Sequence, residues 1–131
     1  MSRFDKYEPR VGGFRAKLNA ALLAADVGKI RGVSINSSGR VVIGAAAETQ
    51  IVGLICPVRP MAVGEPIDVM TSGEIVECLK TAGTAFVAGD IVTVAISGDV
   101  GSTAVGAGFK AVGHMVELDR MIVRAPIPTV A

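Results

Sequence analysis

Two stretches of this chain write the same phrase twice. "MAVGEPIDVMTSGEIV" runs from Met61 to Val76, and "FVAGDIVTVAISGDVG" from Phe86 to Gly101. Gly64 matches Gly89, and Glu65 matches Asp90. Ile67 and Val69 match Val92 and Val94, and Ser72-Gly73-Glu74 matches Ser97-Gly98-Asp99. Each copy has an apolar lead, a Gly-acid pair and an alternating run ("PIDVMT", "IVTVAI"). Each then closes on a Ser-Gly-acid turn, where glycine accepts positive φ. The pattern predicts a strand, a turn and a second strand, so each copy is expected to be a hairpin. Small barrels and sandwiches are stacked from such units. A solenoid needs at least three repeats, and two copies are visible.

The remaining composition points the same way. A chain of 131 residues suits one domain, and a domain of this size buries roughly two-thirds of its unfolded surface. Half the residues are hydrophobic, with 16 Gly, four Phe, one Tyr and no Trp. β-branched residues with many glycines favour strands joined by tight turns. "KIRGVSI", the turn cluster "NSSG" at 36–39 and "RVVIG" read as two strands and their turn. "QIVGLICPV" is a continuous apolar run, as for a strand buried on both faces. "FKAVGHMVE" and "RMIVRAPI" form a last hairpin across Leu118-Asp119. The expected fold is mainly β: a small β-barrel or β-tulip-like body at 29–131, preceded by an extended N-terminal arm at 1–28. The arm carries one short helix at about 15–26, "RAKLNAALLAAD". Ala and Leu are strong helix formers, Leu18, Leu22 and Leu23 share one side, and Gly28 closes it.

The arm is basic. Up to Arg31 there are seven Lys/Arg against three acids, and the rest of the chain has six against nine. Phe4, Tyr7 and Phe14 are spaced along it like anchors. Such charge asymmetry fits a tail that docks on a partner, and equally a solvated tail that keeps the protein soluble.

Residues that carry chemistry are few. Glu65, Asp90, Glu74 and Asp99 sit at matching turn positions, where acids serve local turn geometry more often than metals or acid-base catalysis. His114 is the only histidine, and no Cys-x-x-Cys or His-x₃₋₅-His spacing accompanies it. Cys56 and Cys78 lie in apolar runs, where thiols are usually inert, and are expected to be free in a protein made in a reducing cytosol. No phosphate-cradling glycine motif is present. The body shows neither a basic face nor base-stacking aromatic pairs for nucleic acid. No apolar run approaches the roughly 18 residues needed to span a bilayer, and the polar start lacks a secretory core. No catalytic, cofactor or metal residue is assigned.

The order of these turns resembles the capsid decoration, or cement, proteins of tailed bacteriophages. The residues that carry it are Val52-Gly53-Leu54, Val63-Gly64-Glu65-Pro66-Ile67-Asp68-Val69 and Ala88-Gly89-Asp90-Ile91-Val92-Thr93-Val94, with the late strand Ala111–Glu117. The likeness covers roughly Gly28 to Arg124, and the N-terminal arm does not match it. It implies a non-enzymatic, often trimeric protein on the outer surface of an expanded head, stabilising contacts between major capsid subunits. Implied partners are the major capsid protein and further copies of itself, with no nucleic acid, membrane or cofactor. On that reading Arg3, Phe4, Tyr7, Arg10, Phe14 and Arg15 are the candidate capsid-binding residues. The alternatives are a virion surface adhesion module, and a small oligomeric enzyme using the Gly-acid carboxylates.

Overall fold

The computed structural model describes residues 13–45, 50–103, 109–116 and 120–124. The chain is mainly β. Its strands are β1 (Gly13–Lys17), β2 (Arg31–Ile35), β3 (Val41–Ile43), β4 (Gly53–Ile55), β5 (Pro66–Met70), β6 (Ser72–Glu77), β7 (Ile91–Ala95), β8 (Val100–Gly101), β9 (Phe109–Met115) and β10 (Arg120–Arg124). They form two five-stranded sheets, ordered β1-β5-β4-β2-β3 and β6-β10-β9-β7-β8. Every strand pair within them is antiparallel.

The hydrophobic residues divide into two clusters. One fills the space between the sheets: Val92, Val94, Val112, Met115, Met121 and Val123 from the second sheet meet Leu54 of β4, with Ile30 and Ile51 from the segments leading into β2 and β4. The other covers the far face of the first sheet, where Val33, Val41, Ile55, Ile67 and Val69 pack with Leu18, Leu22 and Met61. β4 therefore buries both faces, Leu54 in one cluster and Ile55 in the other. That is why its sequence is an unbroken apolar run rather than an alternation. At roughly 1.5–3 kcal/mol for each fully buried Val, Leu or Ile side chain, these clusters supply the main driving force.

The helix expected at 15–26 does not form. β1 occupies its first part, and a single 3-10 turn, Ala24–Asp26, is all that coils. Along Phe14–Leu18 the residues alternate: Phe14, Ala16 and Leu18 face the first sheet's outer cluster, while Arg15 and Lys17 are exposed. That is a period of two, and pairing with β5 outweighs the helix propensity of the Ala and Leu that follow. Leu18 and Leu22 reach the core from an extended segment. The Leu22 N–H donates to the Met61 carbonyl at 2.8 Å, and the Met61 N–H returns the bond at 2.9 Å. Leu23 is left 65% exposed. Residues 13–28 of the expected arm are thus laid against the first sheet, and residues 1–12 lie outside those described.

The repeat meets two fates. The second copy is the expected hairpin: β7 turns back through Ser97-Gly98-Asp99 into β8. The first copy is not. After β5 the chain passes Thr71 and enters β6, which belongs to the other sheet. Gly73 takes φ +83° and Gly98 φ +88°, so the same local geometry serves a crossing in one copy and a reversal in the other.

Candidate interaction surface

The Gly-acid turns are built alike, down to single hydrogen bonds. In Ala62–Glu65 the Glu65 N–H donates to the Ala62 carbonyl at 3.2 Å, and in Val87–Asp90 the Asp90 N–H donates to Val87 at 3.1 Å. Gly64 at φ +84° and Gly89 at φ +87° fill the third turn position, which demands the left-handed region. The carboxylates reach back to the first residue. Glu65 Oε2 accepts from the Ala62 N–H at 2.6 Å, and Asp90 Oδ2 from the Val87 N–H at 3.1 Å.

Each turn also grips the end of a neighbouring strand reciprocally. Leu18 donates to Glu65 (2.9 Å) and accepts from Gly64 (3.0 Å), while Met115 donates to Asp90 and accepts from Gly89, both at 2.9 Å. This is the purpose of the paired acids: they satisfy backbone donors that the turn leaves over. The Ala62 N–H bond and Arg59, 3.3 Å away, hold the Glu65 carboxyl below the usual carboxylate range. Among the described residues, no three His, Cys, Asp or Glu side chains converge as a metal site would require.

His114 and the cysteines fall on different surfaces. His114 is exposed on β9, whereas Cys78 is 4% exposed in the inter-sheet core. Cys56 is half-buried, its Sγ 3.8 Å from the Glu77 carbonyl, and burial pushes its thiol pKa up.

What the fold does present is an asymmetry between its two sides. On one side the sheets are stitched together. Gly32 N–H donates to the Gly98 carbonyl (2.8 Å) and Ala45 N–H to the Ile96 carbonyl (2.8 Å). A Cβ on Gly98 would stand 2.7 Å from the Gly32 oxygen and 2.8 Å from the Gly44 nitrogen, so the approach requires glycine. Nearby, Thr81 Oγ1 donates to the Ile30 carbonyl (2.6 Å) and accepts from the Val100 N–H (2.8 Å).

On the other side, among the described residues, β1 and β6 are the edges of their sheets. A groove of about 510 Å³ lies there, lined by Phe14 and Arg15 of β1, Asp68 and Met70 of β5, Cys56, and Glu74 and Val76 of β6. Five of the six β6 residues are exposed. Arg15 is held by Asp68 at 2.9 Å, and that hydrogen bond raises its pKa above the ordinary value.

The outer face of the second sheet adds an apolar row. Ile75, Ile122, His114 and Ile91 are successive cross-strand neighbours on β6, β10, β9 and β7. Ile75 is 50% and Ile91 48% exposed. Of the candidate capsid-binding residues, the structure brings Phe14 and Arg15 to the groove. Arg3, Phe4, Tyr7 and Arg10 lie outside the described residues. The isoleucine row and the groove escaped sequence reading. Alternation around Ile75 and Ile91 was a signal for the row, but which strands become neighbours is set by distant pairing.

No protein-family model and no curated protein matches this chain. Among solved structures it is similar to a chain from Mycobacterium phage Patience, with a TM-score of 0.66 at 18% sequence identity. That likeness covers 93% of this chain and 95% of the other. The two share a fold along nearly their whole lengths.

Proposed function

We propose that this chain is a phage virion protein that decorates the outer surface of an expanded head and reinforces contacts between major capsid subunits, without catalysis. The observation that carries this reading is the whole-chain fold likeness to a phage protein. It is joined by the decoration-family turn order along the sequence. Two of the four turn carboxylates, Glu65 and Asp90, are engaged in turn geometry. Arg3, Phe4, Tyr7 and Arg10, with Phe14 and Arg15 at the groove, supply the contacts to the capsid, since aromatic and Arg side chains dominate interface energies. The working form is a homotrimer. Packing between copies would bury exposed isoleucines such as Ile75 and Ile91, and several weak contacts made together raise avidity by about 10²–10⁴.

The test is co-sedimentation of the full-length protein with expanded empty shells that lack it. The reading expects saturable binding at a fixed ratio to the capsid subunit, weakened by Phe4→Ala with Tyr7→Ala. Absence of binding to expanded shells would remove it. Binding to a host glycan instead would favour the adhesion reading.

A further inference from the structure

We infer that residues 20–27 form a strap over the first sheet's outer cluster that opens as a unit, hinged at Asn19 and Gly28, while both sheets stay folded. The inference concerns the free protein and does not rest on the proposed function.

It starts from a conflict between a segment and its conformation. Residues 20–25 read Ala-Ala-Leu-Leu-Ala-Ala. Ala and Leu are among the strongest helix formers, and Ala is a poor strand residue. Yet residues 20–23 are not helical, and Ala24–Asp26 coils only as a single 3-10 turn. The body imposes this shape, and a released strap regains the conformations its residues favour. Such disagreement between local preference and fold weakens closure.

The strap is also thinly attached. Ala20, Ala21, Leu23, Ala24 and Ala25 are exposed, and Leu22, at 4%, is the buried side chain between residues 20 and 27. It packs in the outer cluster with Met61. Among the described residues, the backbone bonds that join the strap to a distant part of the chain are the reciprocal Leu22–Met61 pair. One ion pair is added, Asp26 to Arg31 at 3.5 Å. Inside the strap, the Leu23 N–H donates to the Asp26 carboxylate (2.8 Å) and the Asp26 N–H to the Leu23 carbonyl (2.9 Å), so this piece moves together. Both ends are held. Leu18 is 1% exposed, and the Asn19 N–H donates to the Val41 carbonyl at 2.9 Å. Gly28 donates to Pro57 and accepts from Leu79, both at 2.9 Å, with φ +78° and open space where a Cβ would stand. Segments with few buried contacts between firm ends open below the global unfolding free energy. Opening brings out Leu22 and uncovers Met61, whose loop already exposes Val58 (88%) and Val63 (60%). An apolar surface hidden in the closed protein thus becomes available without unfolding.

The experiment is native-state hydrogen exchange, followed by NMR on the full-length protein at denaturant concentrations below the unfolding transition. The Leu22 and Met61 amides should share one protection factor, about a hundredfold or more below those of β4 and β7, and nearly independent of denaturant. A second measurement uses the variant Leu22→Cys, in which the buried Cys78 reports on opening of the core between the sheets. Iodoacetamide should label the introduced thiol about a hundredfold or more faster than Cys78, read by peptide mass spectrometry. Leu22 and Met61 amides that exchange only together with β4 and β7 would overturn the inference. So would unrelated protection at Leu22 and Met61, or equal labelling of the introduced thiol and Cys78.

Discussion

The two copies of the repeat share their leading turn, their strand and their Ser-Gly-acid close, yet they do opposite things. β7 doubles back into β8, and its turn seals the sheets together through Gly98. β5 runs straight on into β6, whose Gly73 lies in an exposed strand beside a groove. Even the strands gripped by the leading turns correspond, Leu18 after β1 and Met115 at the end of β9. The difference lies in what stands on the strand's other side. β7 is flanked by its own hairpin partner β8, whereas β5 is flanked by β4, a strand from elsewhere in the chain. With that place taken, the first copy leaves its sheet. One phrase thus yields a closed side that holds the body together and an open side available for contacts.

That contrast is best broken at the closed side, where the largest effects are expected. Ile30 is fully buried beside the stitching, so Ile30→Ala should cost about 3–4 kcal/mol. Ile75→Ala on the open side should fall within about 0.5 kcal/mol. Denaturant unfolding of both variants reads the difference, and equal costs would erase the distinction between the sides.

Next comes the glycine pair. Gly98→Ala combines a left-handed backbone with contact against two backbone atoms and should cost about 2–3 kcal/mol. Gly89 has the same φ but open space around an added Cβ, so Gly89→Ala should cost about 1 kcal/mol. Thermal unfolding of the two variants sharpens the claim that close approach, and not turn geometry alone, closes the body.

Thr81→Val comes third. It leaves the Ile30 carbonyl and the Val100 N–H without their partner, an expected loss of about 1–2 kcal/mol by denaturant titration.

The smallest effect concerns the leading turns. The Glu65 carboxyl is held below its ordinary pKa by the Ala62 N–H and Arg59. Its contribution to stability is therefore present above the ordinary carboxylate pKa and lost as pH falls through the depressed folded value. Glu65→Gln should lower stability slightly near neutrality and converge on the parent protein in acid, which flattens the acid limb of the stability curve below about pH 4.5. An unchanged acid limb would mean that the turn does not depend on the charge.

Local rules made much of this fold legible. The Asn36–Arg40 turn between β2 and β3, the β9–β10 pair, the β7–β8 hairpin and the doubly buried β4 all follow from alternation, glycine and apolar runs. Two failures share a cause. In Phe14–Leu18 a period-two alternation stands beside strong helix formers, and only pairing with β5 decides between them. At Thr71 nothing local distinguishes a crossing from a reversal, because Gly73 and Gly98 hold nearly the same φ. The groove and the isoleucine row were illegible for the same reason, since both depend on which distant strands become neighbours. The acids were legible as turn devices because the requirement they meet, a backbone donor three residues back, is written within four residues.

The most direct test of the account is cryo-electron microscopy of expanded shells saturated with the full-length protein. The account predicts ordered density for this two-sheet body on the outer surface, repeated over junctions between capsid subunits. Shells that stay bare at saturating protein would contradict it.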